Sequence, residues 1–156
     1  MDPARNATAA PPRTHDAREL LREDHRRLQQ LCEEYASLVE GDASAADCSG
    51  LLARIGGRLR IHARIEDEIF YPALPAGETL TQARAEHERL DRQLRRLTES
   101  AQADGGVAAL AEALRRHAAF EEERLFPLAE GLDLAELGKR LRARRVELTG
   151  DYDQPS

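Results

Sequence analysis

The chain has no tryptophan, and aromatic residues make up only 4% of its 156 residues. No stretch alternates apolar and polar residues convincingly enough to read as a strand. Two cysteines, Cys32 and Cys48, are too few for a disulfide scaffold and show no zinc spacing, which fits a reducing compartment. No apolar run is long enough to span a membrane. The segment Met1 to Thr14 lacks the apolar core of a secretory signal. A segregated basic surface is also missing. Net charge is −6, with arginines interleaved among Glu and Asp, which argues against a nucleic-acid partner. The expectations are no nucleic acid, no membrane and a cytoplasmic location.

What is present favours helix. Charged residues reach 33%, and Ala, Leu, Arg and Glu are abundant. A chain of this length is one domain with room for a substantial core. Residues 1–15 read as a flexible leader containing Pro11, Pro12 and His15. Thr14 or Asp16 is placed to cap a first helix running to about Glu40, with Leu21, His25, Leu28, Cys32 and Val39 on its inward stripe. Cys32 reads as a small buried hydrophobe. A second helix is expected from about Ser49 to Leu74, its stripe formed by Leu52, Ile55, Leu59, His62, Ile65, Glu66 and Ile69. Gly56 and Gly57 inside it mark either a close helix approach or a local irregularity. The third runs from about Glu78 to Ala101, through Leu80, Ala83, His87, Leu90, Leu94 and Leu97. The fourth runs from about Val107 to Ala129, through Leu110, Leu114, His117, Phe120, Glu121, Leu125 and Leu128. Asp133 is placed to cap a shorter fifth helix, within 131–149 and packed on the bundle, followed by a frayed tail over 150–156. Four long helices joined by short loops favour an all-α, up-down-up-down antiparallel four-helix bundle over 16–130, with the additional C-terminal helix outside it.

One phrase occurs twice. His62-Ala63-Arg64-Ile65-Glu66 leads into Phe70-Tyr71-Pro72, and His117-Ala118-Ala119-Phe120-Glu121 leads into Leu125-Phe126-Pro127. Residues four apart share a helical face, so each phrase sets an imidazole beside a carboxylate near a helix end, and the proline marks where the helix bends or stops. Each phrase has an upstream companion, Asp24-His25 and Glu86-His87, with a Leu three residues after the His. Four of the five histidines fall in this scheme. In the bundle they can converge on one cross-section, with Glu66 and Glu121 close by. Buried carboxylates are costly unless paired, protonated or bound to a cation. Six such groups suit two ions, each taking two imidazoles, with Glu66 and Glu121 bridging. Imidazole and carboxylate without thiolate suit iron, and also manganese or zinc; iron leads because an iron pair can cycle between oxidation states against oxygen species.

Leu-x-x-Asp-His-x-x-Leu, His-x-x-x-Glu with Phe-Tyr-Pro, Glu-His-x-x-Leu and His-x-x-x-Glu with Leu-Phe-Pro, in that order, resemble the hemerythrin-like (HHE cation-binding) domain over about residues 16 to 130. The resemblance implies a non-haem di-iron site with metal ligands His25, His62, Glu66, His87, His117 and Glu121, oxo- or hydroxo-bridged between two iron ions. Oxygen-carrying members usually have a further His one turn before the third-helix His, where this chain has Ala83. Their last acidic ligand is commonly Asp at a longer spacing, where this chain has Glu121. A nearly symmetrical four-His, two-Glu site makes reversible carriage less secure and peroxide, oxygen or nitric oxide chemistry more plausible.

Three functions follow from the resemblance: binding or sensing of oxygen or nitric oxide, catalase-like or peroxidase-like turnover of peroxide or nitric oxide, and iron storage or delivery. Iron–sulfur repair members usually carry a Cys-bearing N-terminal segment, and Met1 to Thr14 has no Cys. The expected partner is a small diatomic ligand or peroxide, and the expected state a monomer or weak homodimer. Asp91, four residues after His87, is open to three roles: ligand, acceptor for a ligating His, or ion-pair partner. Gln29 stands at the same spacing after His25. Tyr35 and Tyr71 are possible sources of an oxygen ligand or a proton, with Tyr71 read first as packing beside Pro72. Asp67, Glu68, Glu122 and Glu123 read as solvated helix charges.

Overall fold

A computed structural model describes residues 16–149. The expected leader, with His15, and the expected tail lie outside the described residues. Among the described residues every element is helical, with no strand and five α-helices. Asp16 caps α1 (Ala17–Glu40): its carboxylate accepts from the Glu19 N–H, and Glu19 reaches back to the Asp16 N–H. This reciprocal pair satisfies two of the donors that a helix start leaves unpaired. Leu20, Leu21, His25, Leu28, Leu31 and Cys32 are buried at helical spacing, but Val39 is 52% exposed, beyond the end of the inward stripe.

The second helix, α2 (Ala45–Ile65), starts earlier than expected. Ser44 Oγ accepts from the Asp47 N–H at 3.1 Å and nucleates the helix ahead of the expected start at Ser49. Gly56 marks a close approach, since a methyl there would stand 3.4 Å from a Leu94 side-chain carbon. Gly57 faces open space.

At Glu66 the helix widens into a π turn (Glu66–Phe70), and a 3-10 turn (Tyr71–Ala73) follows. After α3 (Glu78–Glu99), the turn into α4 (Gly106–Phe120) uses glycine of necessity. Gly106 has φ 71°, and a Cβ there would lie 2.9 Å from the Ala101 carbonyl oxygen. The fourth helix then repeats the device of the second, with a π turn (Glu121–Leu125) and a 3-10 turn (Phe126–Ala129).

The π turns correct the expected core. A π turn closes i→i+5 bonds, so one extra residue enters the turn and the inward face shifts by about one position. Phe70 and Tyr71 are fully buried where Ile69 was expected. Phe126 is buried at 2%, and Leu128 is turned outward at 36% exposure. Pro72 and Pro127 then fall in the 3-10 turns, where a missing N–H costs little.

Around the bundle, α1 lies against α2 and α4, and α3 also lies against both. Helix α5 (Leu134–Thr149), capped by Asp133, packs on α1, α2 and the first π turn through Leu137, Gly138 and Leu141. The interior holds two apolar clusters. One joins Leu20, Leu21, Phe70, Tyr71, Phe126 and Leu141; the other joins Leu28, Ile55, Leu59, Leu94, Leu110 and Leu114. Each site histidine falls in sequence between them, as His25 does between Leu21 and Leu28. A polar layer therefore divides the core.

Candidate metal centre

Four helices each deliver one histidine to this layer, and the two π turns each deliver a glutamate as their first residue. Glu66 and Glu121 are fully buried, His62 is 1% exposed, His117 2%, and His25 and His87 6%. Neighbouring imidazole centroids lie 5.1 to 6.5 Å apart. Every Nε2 faces the glutamates. His25 Nε2 stands 2.9 Å from Glu121 Oε1, and His87 Nε2 2.9 Å from Glu66 Oε1. His62 Nε2 stands 3.2 Å from Glu66 Oε1, and His117 Nε2 3.5 Å from Glu121 Oε1.

The other ring nitrogens are all held by acids, in a cycle around the bundle. Asp24 on α1 takes His62 Nδ1 at 3.0 Å, and Asp67 after α2 takes His87 Nδ1 at 3.0 Å. Glu86 on α3 takes His117 Nδ1 at 3.1 Å, and Glu122 after α4 takes His25 Nδ1 at 2.9 Å. Each helix thus orients the imidazole of the next. A carboxylate only accepts, so each Nδ1 carries the donated proton. A neutral imidazole has one N–H, so its Nε2 then presents a lone pair.

Four lone pairs aimed at carboxylate oxygens repel unless positive charge lies between them. His62 Nε2, Glu66 Oε2 and His117 Nε2 are buried without any hydrogen-bond partner. Such orphaned atoms call for an explanation, and a cation bound between them supplies one. In the metal-free protein protons take that place. Burial alone would push each imidazole down, but the facing acids outweigh it. Glu66 and Asp24 carry His62 up to about 10, Asp67 and Glu66 carry His87 up to about 9, and Glu121, Glu66 and Glu86 carry His117 up to about 10. Burial likewise opposes the charge on Glu66, yet His62, His117 and His87 hold it well below the usual carboxylate range.

His25, His62, Glu66, His117 and Glu121 each offer one ligand atom, and the five atoms all lie within 4.8 Å of one another, a set able to hold a metal ion. His87 stands beside that set through Glu66. Tyr71 is drawn into the same layer and does not simply pack beside Pro72. Its hydroxyl donates to Glu121 Oε2, lies 3.3 Å from Glu66 Oε1 and 3.1 Å from His87 Nε2, and its ring stacks on His87. Burial, then the charges of Glu66 and Glu121, push the phenol far up, so it keeps its proton.

The model of the hemerythrin HHE cation-binding domain matches residues 16–129. The chain belongs to this family. Among curated proteins it is 35% identical over 102 residues to uncharacterized protein Rv2633c of Mycobacterium tuberculosis and to uncharacterized protein Mb2666c of Mycobacterium bovis. Those alignments cover 59% of this chain and 63% of each relative, so the chain spans less than two thirds of the relatives' length. No solved structure matches it.

Within this family fold, the acids around the histidines are what sequence reading missed. Asp67 and Glu122 are not plain solvated charges; each is part-buried against an imidazole. The available signal was that both stand five residues after the phrase's histidine and that Asp24 and Glu86 directly precede one. Asp91 instead pairs with Arg95 at 2.9 Å on the surface, and Gln29 donates to the Ala111 carbonyl. Tyr35 packs with the cluster of Cys32, whose thiol burial pushes up to about 11. Ala83 is fully buried in the same apolar cluster as Tyr71.

Proposed function

We propose that this chain is a non-haem di-iron protein that binds or senses oxygen or nitric oxide at a four-His, two-Glu site, on an up-down-up-down antiparallel bundle. In this reading His25, His62, His87, His117, Glu66 and Glu121 would hold the two ions. The observation that carries it is the orphaned, inward-facing trio of His62 Nε2, Glu66 Oε2 and His117 Nε2, beside rings whose Nδ1 atoms are already held by acids. When bound, an iron pair supplies reversible electron exchange with a small oxygen- or nitrogen-containing molecule. The chain's own part is to aim the Nε2 lone pairs, to exclude bulk water with an apolar cluster on each side, and to hold a proton on Tyr71.

Tyr71 favours a second reading, turnover of peroxide, because a buried phenol that keeps its proton beside both glutamates is placed to donate a hydrogen bond to an oxygen that gains negative charge there. Storage or delivery of iron draws no support from six side chains that are all at most 6% exposed, since cargo must reach and leave its ligands.

Metal analysis of natively expressed protein should give about two irons per chain, lost in the Glu66→Ala and Glu121→Ala variants. The reduced protein should change colour with oxygen and revert on degassing. Irreversible oxidation, with oxygen evolved from added peroxide and Tyr71→Phe slowing that evolution on the order of a hundredfold, would establish the enzyme instead. A folded, iron-free protein defeats both readings.

A further inference from the structure

The four acids that orient the imidazoles are not equivalent. Glu86, Glu122 and Asp67 keep 18%, 35% and 39% of their side chains exposed, whereas Asp24 keeps 3%. A carboxylate that deep needs a cation, and the nearest arginine comes from outside the four-helix core. Arg145 on α5 donates through Nη2 to both Asp24 oxygens, at 2.7 and 2.6 Å. Arg58 adds a longer contact at 3.8 Å. Residue 145 lies beyond the segment that the family matches, which ends at 129. The line of contact is continuous: Arg145 fixes Asp24, Asp24 Oδ2 fixes His62 Nδ1, and the ring then aims Nε2 at the centre.

On the opposite side no orienting acid is as deep as Asp24: Glu86, which holds His117, and Asp67, which holds His87, both stay partly exposed. The two closest imidazole neighbour pairs across the bundle are His25 with His62 and His87 with His117, each 5.1 Å apart between centroids. Beside the second pair, a 160 Å³ cavity open to solvent reaches Glu86 and His117, with Arg89 and Arg116 among its walls.

We propose that Arg145 is a positioning residue of the centre, which through Asp24 locks His62, so that the half built on His25 and His62 keeps its ion longer than the half built on His87 and His117. This rests on the di-iron reading above. Helix α5 then serves as part of the site, in addition to covering the apolar cluster. Orienting partners of metal-bound imidazoles are worth about 10- to 100-fold in affinity, and a clamp on such a partner acts through the same bond.

The test is iron release from the full-length, iron-loaded and reduced protein to a colour-forming iron(II) chelator. Wild type should release its iron in two phases of equal amplitude. Arg145→Gln should speed the slow phase by about tenfold or more, toward the fast one. Arg145→Lys keeps the charge but loses the guanidinium's shape, so its slow phase should fall between the two. It also decides the matter if Arg145→Gln fails to fold. Arg144→Ala is the control. Arg144 lies on the same helix but holds Glu68 and Glu147, which touch no imidazole, so its slow phase should match wild type. A slow phase unchanged in both Arg145 variants overturns the proposal, as does an equal acceleration by Arg144→Ala, which would mean that loosening α5 suffices. Wild-type protein that binds no iron overturns the di-iron reading itself, a separate result visible before any variant is made.

Discussion

Removing the metal should leave a protein whose stability falls as pH rises, the reverse of ordinary acid sensitivity. In the metal-free chain His87 is held up at about 9, and His62 and His117 at about 10, whereas an unfolded imidazole titrates near 6.5. A group whose pKa is raised by folding stabilises the fold fully below its unfolded value, and that stability drains away as pH climbs to the folded value. The window therefore runs from about 6.5 to 9 or 10. Glu66 faces His62, His87 and His117 together, so their gains share one carboxylate and do not add. Counting His87 alone, a difference of about 2.5 pH units is worth about 3 kcal/mol. For a chain of this size, 1 kcal/mol moves the melting temperature by about 2–4 °C, so the expected fall from pH 6.5 to 9 is about 6–12 °C.

The assay is helical circular dichroism during heating of chelator-treated protein, stepped through pH. Stopping at pH 9 keeps the Cys32 thiol, held up at about 11, from contributing much. Iron-loaded protein should show a flatter profile, because bound ions replace the protons. A metal-free melting temperature that stays level or rises from pH 6.5 to 9 would refute the view that protons compensate the buried glutamates.

Asp67→Asn and Glu122→Gln should each lower iron affinity about 10- to 100-fold in chelator competition while leaving the helix content unchanged, and Asp91→Ala, which breaks only a surface pair with Arg95, should leave affinity as it is. Gly57→Ala should stabilise the fold by about 0.5–1 kcal/mol in urea denaturation, because the site is helical and a methyl there meets nothing within 4 Å.

Helices and candidate site residues were legible because both are periodic. A stripe at three- and four-residue spacing fixes which face turns inward, and a His with a Glu four residues later stays on that face whatever packs against it. The repeat of His62 to Glu66 in His117 to Glu121 made the pattern hard to attribute to core packing. The early start of α2 at Ser44 was harder to see, since a serine in a polar linker signals a cap only once the following turn is known to be helical.

By itself, then, the sequence determined a set of helices from residue 16 onward and six polar groups aimed at their common interior. The tertiary structure alone decided what surrounds them. Asp24, Asp67, Glu86 and Glu122 each sit beside an inward residue, which on a helix means pointing sideways, and a sideways acid is solvated or bonded according to which helix lies next to it. Tyr71 reaches Glu121 across 50 positions of chain, and it faces inward because a π turn adds a residue that no hydrophobic pattern records. Arg145 meets Asp24 across 121 positions. Periodicity reports the direction of a side chain about its own helix axis, but its partner is fixed only when another helix is placed against it.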